Sequence, residues 1–188
     1  MQDDPQHDLQ QQDGQTRYVA LLRGINVGTG NRIGMADLAL TMESCGFTRV
    51  KTILASGNVV FDGRGSASAV TADLESTLSE RFGYGARVIV VTADAVRAAV
   101  DGFPFDELDS QQPYVVFGSS AGILDSLAAA APESGGDRVM RAGEVLYWTV
   151  EKGHTLDSPF GKVLAKKQKV DVITTRNLRT LRKILAAA

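Results

Sequence analysis

A single cysteine, two histidines and the absence of any long apolar run set the first limits on this 188-residue chain. One thiol, Cys45, excludes an internal disulfide framework and a cysteine-rich zinc site. It falls on the apolar face of a helical pattern, which predicts a buried core thiol rather than a reactive one. No stretch approaches the roughly 20 apolar residues needed to span a bilayer, so no membrane partner is expected. The first 16 residues lack an apolar signal core. They carry Asp3, Asp4, Asp8 and Asp13 and neither Lys nor Arg. Residues 1–16 read as a disordered tail outside the fold, and with nothing pointing to secretion the expected location is the cytoplasm. Beyond that tail the only histidine is His154. No metal set emerges: Asp106, Glu107 and Asp109 are crowded without histidine partners, as in a solvated linker. No cofactor is expected.

Charge is present but uneven. The net charge is −2, yet residues 101–157 hold three basic and ten acidic side chains, and residues 158–188 hold eight basic and one acidic. A solvated helix face accounts for such a block, and an anion-facing surface is the sharper alternative. Arg176, Arg179 and Lys183 recur at i, i+3, i+7, and Lys162, Lys166 and Lys169 at similar spacing, which predicts two basic helix faces.

The order of elements follows from apolar periodicity. Residues 17–23 alternate as a strand. Met35, Leu38, Met42 and Cys45 give a helix closed by Gly46. Residues 50–54 and 59–62 are short strands about the turn Ala55-Ser56-Gly57-Asn58. Val70, Leu74, Leu78 and Phe82 mark a second helix, followed by a strand at 87–91 and a helix at 93–100. Residues 101–112 break the pattern and read as a linker. The second half repeats the order: strand 114–117, helix 122–131, a hairpin of 138–141 and 145–150, helix 159–167 with Ser158 as cap and Pro159 at its first position, strand 170–174, and a final helix through Leu178, Leu181, Ile184 and Leu185. Each half reads β-α-β-β-α-β with an added C-terminal helix, the split βαβ or ferredoxin-like pattern. The expected fold is therefore α+β, with ferredoxin-like halves at 17–100 and 113–188. Halves of about 80 residues bury little core alone, so they should pack together and leave a cleft.

The most informative stretch is residues 18–35, an apolar strand passing through a loop with Gly24, Gly28, Gly30 and Gly34 into a helix. Glycines let backbone N–H groups approach a ligand, and Arg23, Asn26, Asn31 and Arg32 stand among them. The spacing matches neither the dinucleotide fingerprint nor a P-loop. Ser56-Gly57-Asn58 has the composition of a tight turn. A nucleophilic Ser56 would need a base. His154, Asp157 and Ser158 lie too close along one turn for triad geometry, so His154 is expected to be solvent-exposed. Tyr18, Phe61, Tyr114, Phe117, Tyr147 and Trp148 lie on or beside strands, where ferredoxin-like sheets can stack RNA bases. The RNA-motif run is absent, and core filling is the expected role of most of them.

The run Tyr18-Val-Ala-Leu-Leu-Arg-Gly-Ile-Asn-Val-Gly28, with Leu54-Ala-Ser-Gly-Asn-Val-Val-Phe61 and Thr174-Thr-Arg-Asn177, closely resembles the family known as domain of unknown function 1697. The resemblance spans roughly residues 17–185. It implies a two-part α+β fold and no established activity, so it carries over no catalytic residue. The chain departs from the usual family pattern at Gly34, Ala55, Pro159 and the Leu178-Arg179 pair.

These readings converge on one expectation. A small anionic ligand, nucleotide-like or phosphorylated, should bind in a cleft near the glycine loop. Arg23, Asn26, Asn31, Arg32, Ser56, Asn58, Lys162, Thr175, Arg176 and Asn177 are the candidate contacts, with Arg23 and Arg176 supplying charge-assisted bonds. A nucleic-acid module built on the basic C-terminal helices ranks second, and a protein-interaction domain without a ligand third. The sequence leaves open whether a reaction follows and in what oligomeric state the chain works.

Overall fold

The computed structural model describes residues 14–26, 32–132, 136–166 and 171–188. The first half runs β1 (Thr16–Leu22), α1 (Met35–Ser44), β2 (Thr48–Ile53), β3 (Asn58–Gly63), α2 (Ala67–Phe82), β4 (Val88–Thr92) and α3 (Ala93–Asp101). The second runs β5 (Gln111–Gly118), α4 (Ala121–Ala129), β6 (Arg138–Ala142), β7 (Val145–Glu151), α5 (Pro159–Ala165), β8 (Ile173–Asn177) and α6 (Leu178–Ala187). Each half forms a four-stranded antiparallel sheet, ordered β2-β3-β1-β4 and β6-β7-β5-β8. Both orders are ferredoxin-like, as the element pattern predicts.

Period-two alternation divides the core into three apolar layers. In central β1, Tyr18, Ala20 and Leu22 face α1 and α2, while Val19 and Leu21 face inward. In β5, Val116 packs with α4 and α5, while Val115 and Phe117 face inward. The inner faces of both sheets share one layer with Val96 and Ala99 of α3 and Leu178, Leu181 and Ile184 of α6. α6 follows β8 but rests against β2 and β3 as well. Its last turn is held from the first half: Ala187 C=O accepts from Arg17 Nη2 at 3.3 Å and from Lys51 Nζ at 3.2 Å. Cations at a helix C-terminus complement its dipole. Arg17 and Arg49 also converge on the buried carboxylate of Asp62. The halves are thus packed together.

Several local expectations are corrected. Cys45 is exposed, not buried. α1 ends at Ser44 and buries Leu38, Thr41 and Met42, so Cys45 falls beyond that face as the cap, its Sγ 3.6 Å from Thr77 Oγ1. β5 begins at Gln111, because Gln111 and Gln112 pair with Glu151 and Val150. The last strand is shifted from 170–174 to Ile173–Asn177. The two predicted basic helix faces are cut back, although Arg179 and Lys183 stay exposed on α6. Arg176 lies on a strand, α5 ends before Lys166, and Lys169 lies outside the described residues. β1 opens at Thr16, and residues 1–13 of the expected tail lie outside the described residues. Among the described residues, no helix is long and apolar enough to cross a membrane.

Candidate functional site

Three segments meet where the halves join: the end of β1 with Arg23–Asn26, the β2–β3 turn, and β8. Gly57 makes the meeting possible. Its φ is 75°, and a Cβ there would stand 2.7 Å from Ile25 Cδ1 and 2.9 Å from Leu22 Cβ. Only glycine lets the turn close onto β1, where Leu22 N–H donates to Gly57 C=O at 2.8 Å.

Arg176 reaches from β8 into this junction. Its Nε donates to Asn58 Oδ1 at 2.6 Å, Nη1 to Thr174 Oγ1 at 2.5 Å and Thr175 C=O at 3.1 Å, and Nη2 to Leu22 C=O at 2.8 Å. Weaker contacts at 3.5 Å run to the carbonyls of Ser56 and Gly57. Every one of these acceptors is neutral. Burial depresses the guanidinium pKa from its ordinary value to about 10, so the group stays cationic at neutral pH.

A cavity of about 290 Å³ opens beside it, lined by Arg23, Ser56, Thr174, Thr175 and Arg176 together with Leu22, Ile25, Leu164 and Ile173. Arg23 is half-buried on this wall, and its guanidinium makes no hydrogen bond or ion pair among the described residues.

The ten candidates therefore separate. Arg23, Ser56, Thr175 and Arg176 share the cavity wall. Asn58 is fully buried one step behind: its Nδ2 donates to Ile53 C=O at 2.9 Å and Ser56 Oγ at 3.0 Å, and its Oδ1 holds Arg176. The Asn26 amide is committed to the backbone. It donates to Ile33 C=O at 3.0 Å and Ala55 C=O at 2.9 Å and accepts from Ile33 N–H at 2.8 Å, fastening both ends of the glycine loop. Asn177 caps α6, accepting from Arg179 N–H at 2.9 Å. Arg32 and Lys162 are exposed and line no wall of this cavity. Asn31 lies outside the described residues. Sequence reasoning missed Thr174, a buried acceptor for Arg176, although it stands in the same motif as Thr175.

The other constellations go elsewhere. His154 Nδ1 is 3.2 Å from Asp157 Oδ2, and both side chains are exposed. Ser158 Oγ accepts from Gly161 N–H as a helix cap and has no part in a triad. Glu107 pairs with Arg182 of α6, which ties the segment between α3 and β5 to the C-terminal helix. Tyr18, Phe61, Phe117, Tyr147 and Trp148 are buried, and Tyr114 is partly covered in a stack on Trp148. These six offer no exposed stacking platform.

A family model described as a protein of unknown function, DUF1697, matches residues 15–147. The solved structure of the conserved bacterial protein SP0830 from Streptococcus pneumoniae is similar in fold. Its TM-score is 0.76 at 22% sequence identity, with 93% of this chain and 99% of that chain covered. No curated protein matches the chain.

Proposed function

The chain belongs to the DUF1697 family, and on that footing we propose that it binds a small anion, of phosphate-ester or nucleotide-like type, in the cavity beside Arg176. One observation carries this reading: Arg176 is a part-buried cation, desolvated enough to lower its pKa, whose protein partners are all neutral. Its field is uncompensated from within, and in a poorly solvated site such a field attracts negative charge more strongly than in water. Arg23 supplies free donors on the same wall, and the hydroxyls of Ser56 and Thr175 add neutral ones. The segment 17–100 gives one wall and 113–188 the other, joined through 101–112. A reducing cytoplasmic setting belongs to the same proposal, because Cys45 is exposed and unpaired.

The test is calorimetric titration with inorganic phosphate and with AMP, on the wild-type chain and on Arg23→Ala. Binding is expected, with Arg23→Ala weakening it by about 1.5–3 kcal/mol, the scale of one charged hydrogen bond. Unaltered affinity in that variant removes Arg23 from the site. Salt-steep binding of a labelled oligonucleotide that AMP fails to displace would replace this reading with a nucleic-acid surface.

A further inference from the structure

A second and larger cavity lies on another side of the molecule and shares no lining residue with the first. It encloses about 790 Å³ between β4, α3 and the β6–β7 hairpin. β4 is the last strand of its sheet and pairs only with β1. Arg23 N–H donates to Arg87 C=O at 2.9 Å, and the register continues through Leu21 opposite Ile89 and Val19 opposite Val91. The alternation of an antiparallel ladder then turns the backbone groups of Val88 and Val90 away from β1, toward the open edge. Val88 N–H is taken there by Glu75 Oε1 at 2.9 Å. Val88 C=O and both backbone groups of Val90 have no partner among the described residues. Yet Val88 and Val90 are only 2% and 6% exposed, and both line the cavity. Buried backbone groups are rarely left unpaired.

A second polar group without a protein partner opens onto the same space. Tyr147, 4% exposed, lines the cavity, and its hydroxyl makes no hydrogen bond among the described residues. Gly102 faces it: a Cβ there would come within 3.0 Å of that oxygen. Burial raises the phenol pKa, so the hydroxyl stays protonated as a donor. The facing walls are cut back to small residues, Ala95 and Ala98 of α3 with Ala142 and Gly143 of the hairpin. A donor and an acceptor from one residue, on a strand edge, with room for side chains opposite, match the backbone of an extended peptide.

We propose that this cleft is a peptide-binding groove, in which a short extended segment of small apolar residues adds to the free edge of β4 through the Val88 and Val90 backbone. Residues 88–91 present about 10 Å of edge at about 3.3 Å per residue, so three or four peptide residues pair. The segment's side chains lie over Ala95 and Ala98, and the Tyr147 hydroxyl donates to a peptide carbonyl.

The probe is a pool of acetylated, amidated pentapeptides built from Gly, Ala, Ser, Thr and Val, offered to the full chain. Retained peptides are read by mass spectrometry and their contacts by amide chemical shifts. Retained sequences are expected to move the resonances of residues 88–91 and 141–147 and to slow Val90 amide exchange at least tenfold. N-methylation of the residue facing Val90 should weaken binding at least tenfold. Ala98→Phe, a substitution at an exposed helix position, should abolish retention while leaving the melting temperature near that of the wild type. Failure of every pool member to bind would overturn the proposal. So would equal binding of the N-methylated peptide, unchanged Val90 exchange at saturation, or a concentration-dependent dimer that occupies the cleft instead.

Discussion

Replacing Arg176 by methionine tests the central claim about this junction. Methionine keeps most of the side-chain length and removes the charge with every donor. Four hydrogen bonds at 3.1 Å or less disappear, to Asn58, Thr174, Thr175 and Leu22. At about 1.5 kcal/mol for each bond from a charged donor, the loss is about 6 kcal/mol. Burial works the other way. A guanidinium brought down to about 10 by burial forgoes roughly 3 kcal/mol of solvation at about 1.36 kcal/mol per pH unit, and methionine recovers it. The net expectation is a destabilisation of about 3 kcal/mol. For a chain of this size that lowers the melting point by about 6–12 °C, at about 2–4 °C per kcal/mol. Urea denaturation at pH 7, with calorimetry as a second probe, reads both quantities. A variant within about 0.5 kcal/mol of the wild type, or above it, would sink the reasoning. The neutral acceptors would then hold the cation no better than they hold water. The same depressed pKa fixes a sign at high pH. From about 10 up to the ordinary arginine value the unfolded chain binds more protons at this group than the folded one, so this group's contribution rises with pH across that window.

Asp62→Asn should lower stability by about 1.5–3 kcal/mol at pH 7, since it removes a buried carboxylate held by Arg17 and Arg49. Burial alone would raise the Asp62 pKa, but the two guanidinia outweigh it and hold it below the ordinary value. Its contribution is therefore complete above an unfolded pKa of about 3.9 and fades as pH falls below that through the folded value. Acid melts of the variant and the wild type should converge there. Gly57→Ala combines a positive φ with contacts of 2.7 and 2.9 Å and should cost about 2–4 kcal/mol, read by the same urea titration; a neutral result would show that the turn yields. Arg182→Ala breaks an exposed pair with Glu107, and a loss above about 1 kcal/mol would contradict its solvent screening.

The order of the fourteen elements among the described residues was legible because most of them advertise themselves locally. β1, β3, β4 and β7 are β-branched or aromatic runs, and α2, α3, α4 and α5 begin at Ser or Thr caps. β8 hid itself. Its residues Thr174, Thr175, Arg176 and Asn177 are polar, so periodicity placed the strand on the apolar residues before them. A polar strand can sit beside the core because its arginine is satisfied by Leu22 and Asn58, 154 and 118 residues away in the chain. No local window contains those partners. Cys45 was misplaced for a simpler reason: a stripe of apolar residues predicts burial only as far as the helix continues, and α1 stops one residue short.

The candidate site shows how far residue type constrains role. Asparagine in a glycine-rich loop suits a ligand and suits loop closure equally well, and only geometry separates the two. Asn26 stands at φ 54° with its amide spent on residues 33 and 55. The arginines divide in the same way. Arg176 has its donors engaged by the protein, so on the proposed reading it would offer an anion chiefly its field, unscreened because no carboxylate pairs with it among the described residues. Arg23 has its donors free, so it can form bonds. A tied cation supplying charge and a free one supplying contacts is the cheaper arrangement. The tied group loses no side-chain freedom on binding, and the free one loses only its own. This division is why Arg23, rather than the more deeply set Arg176, is the substitution that separates binding from folding.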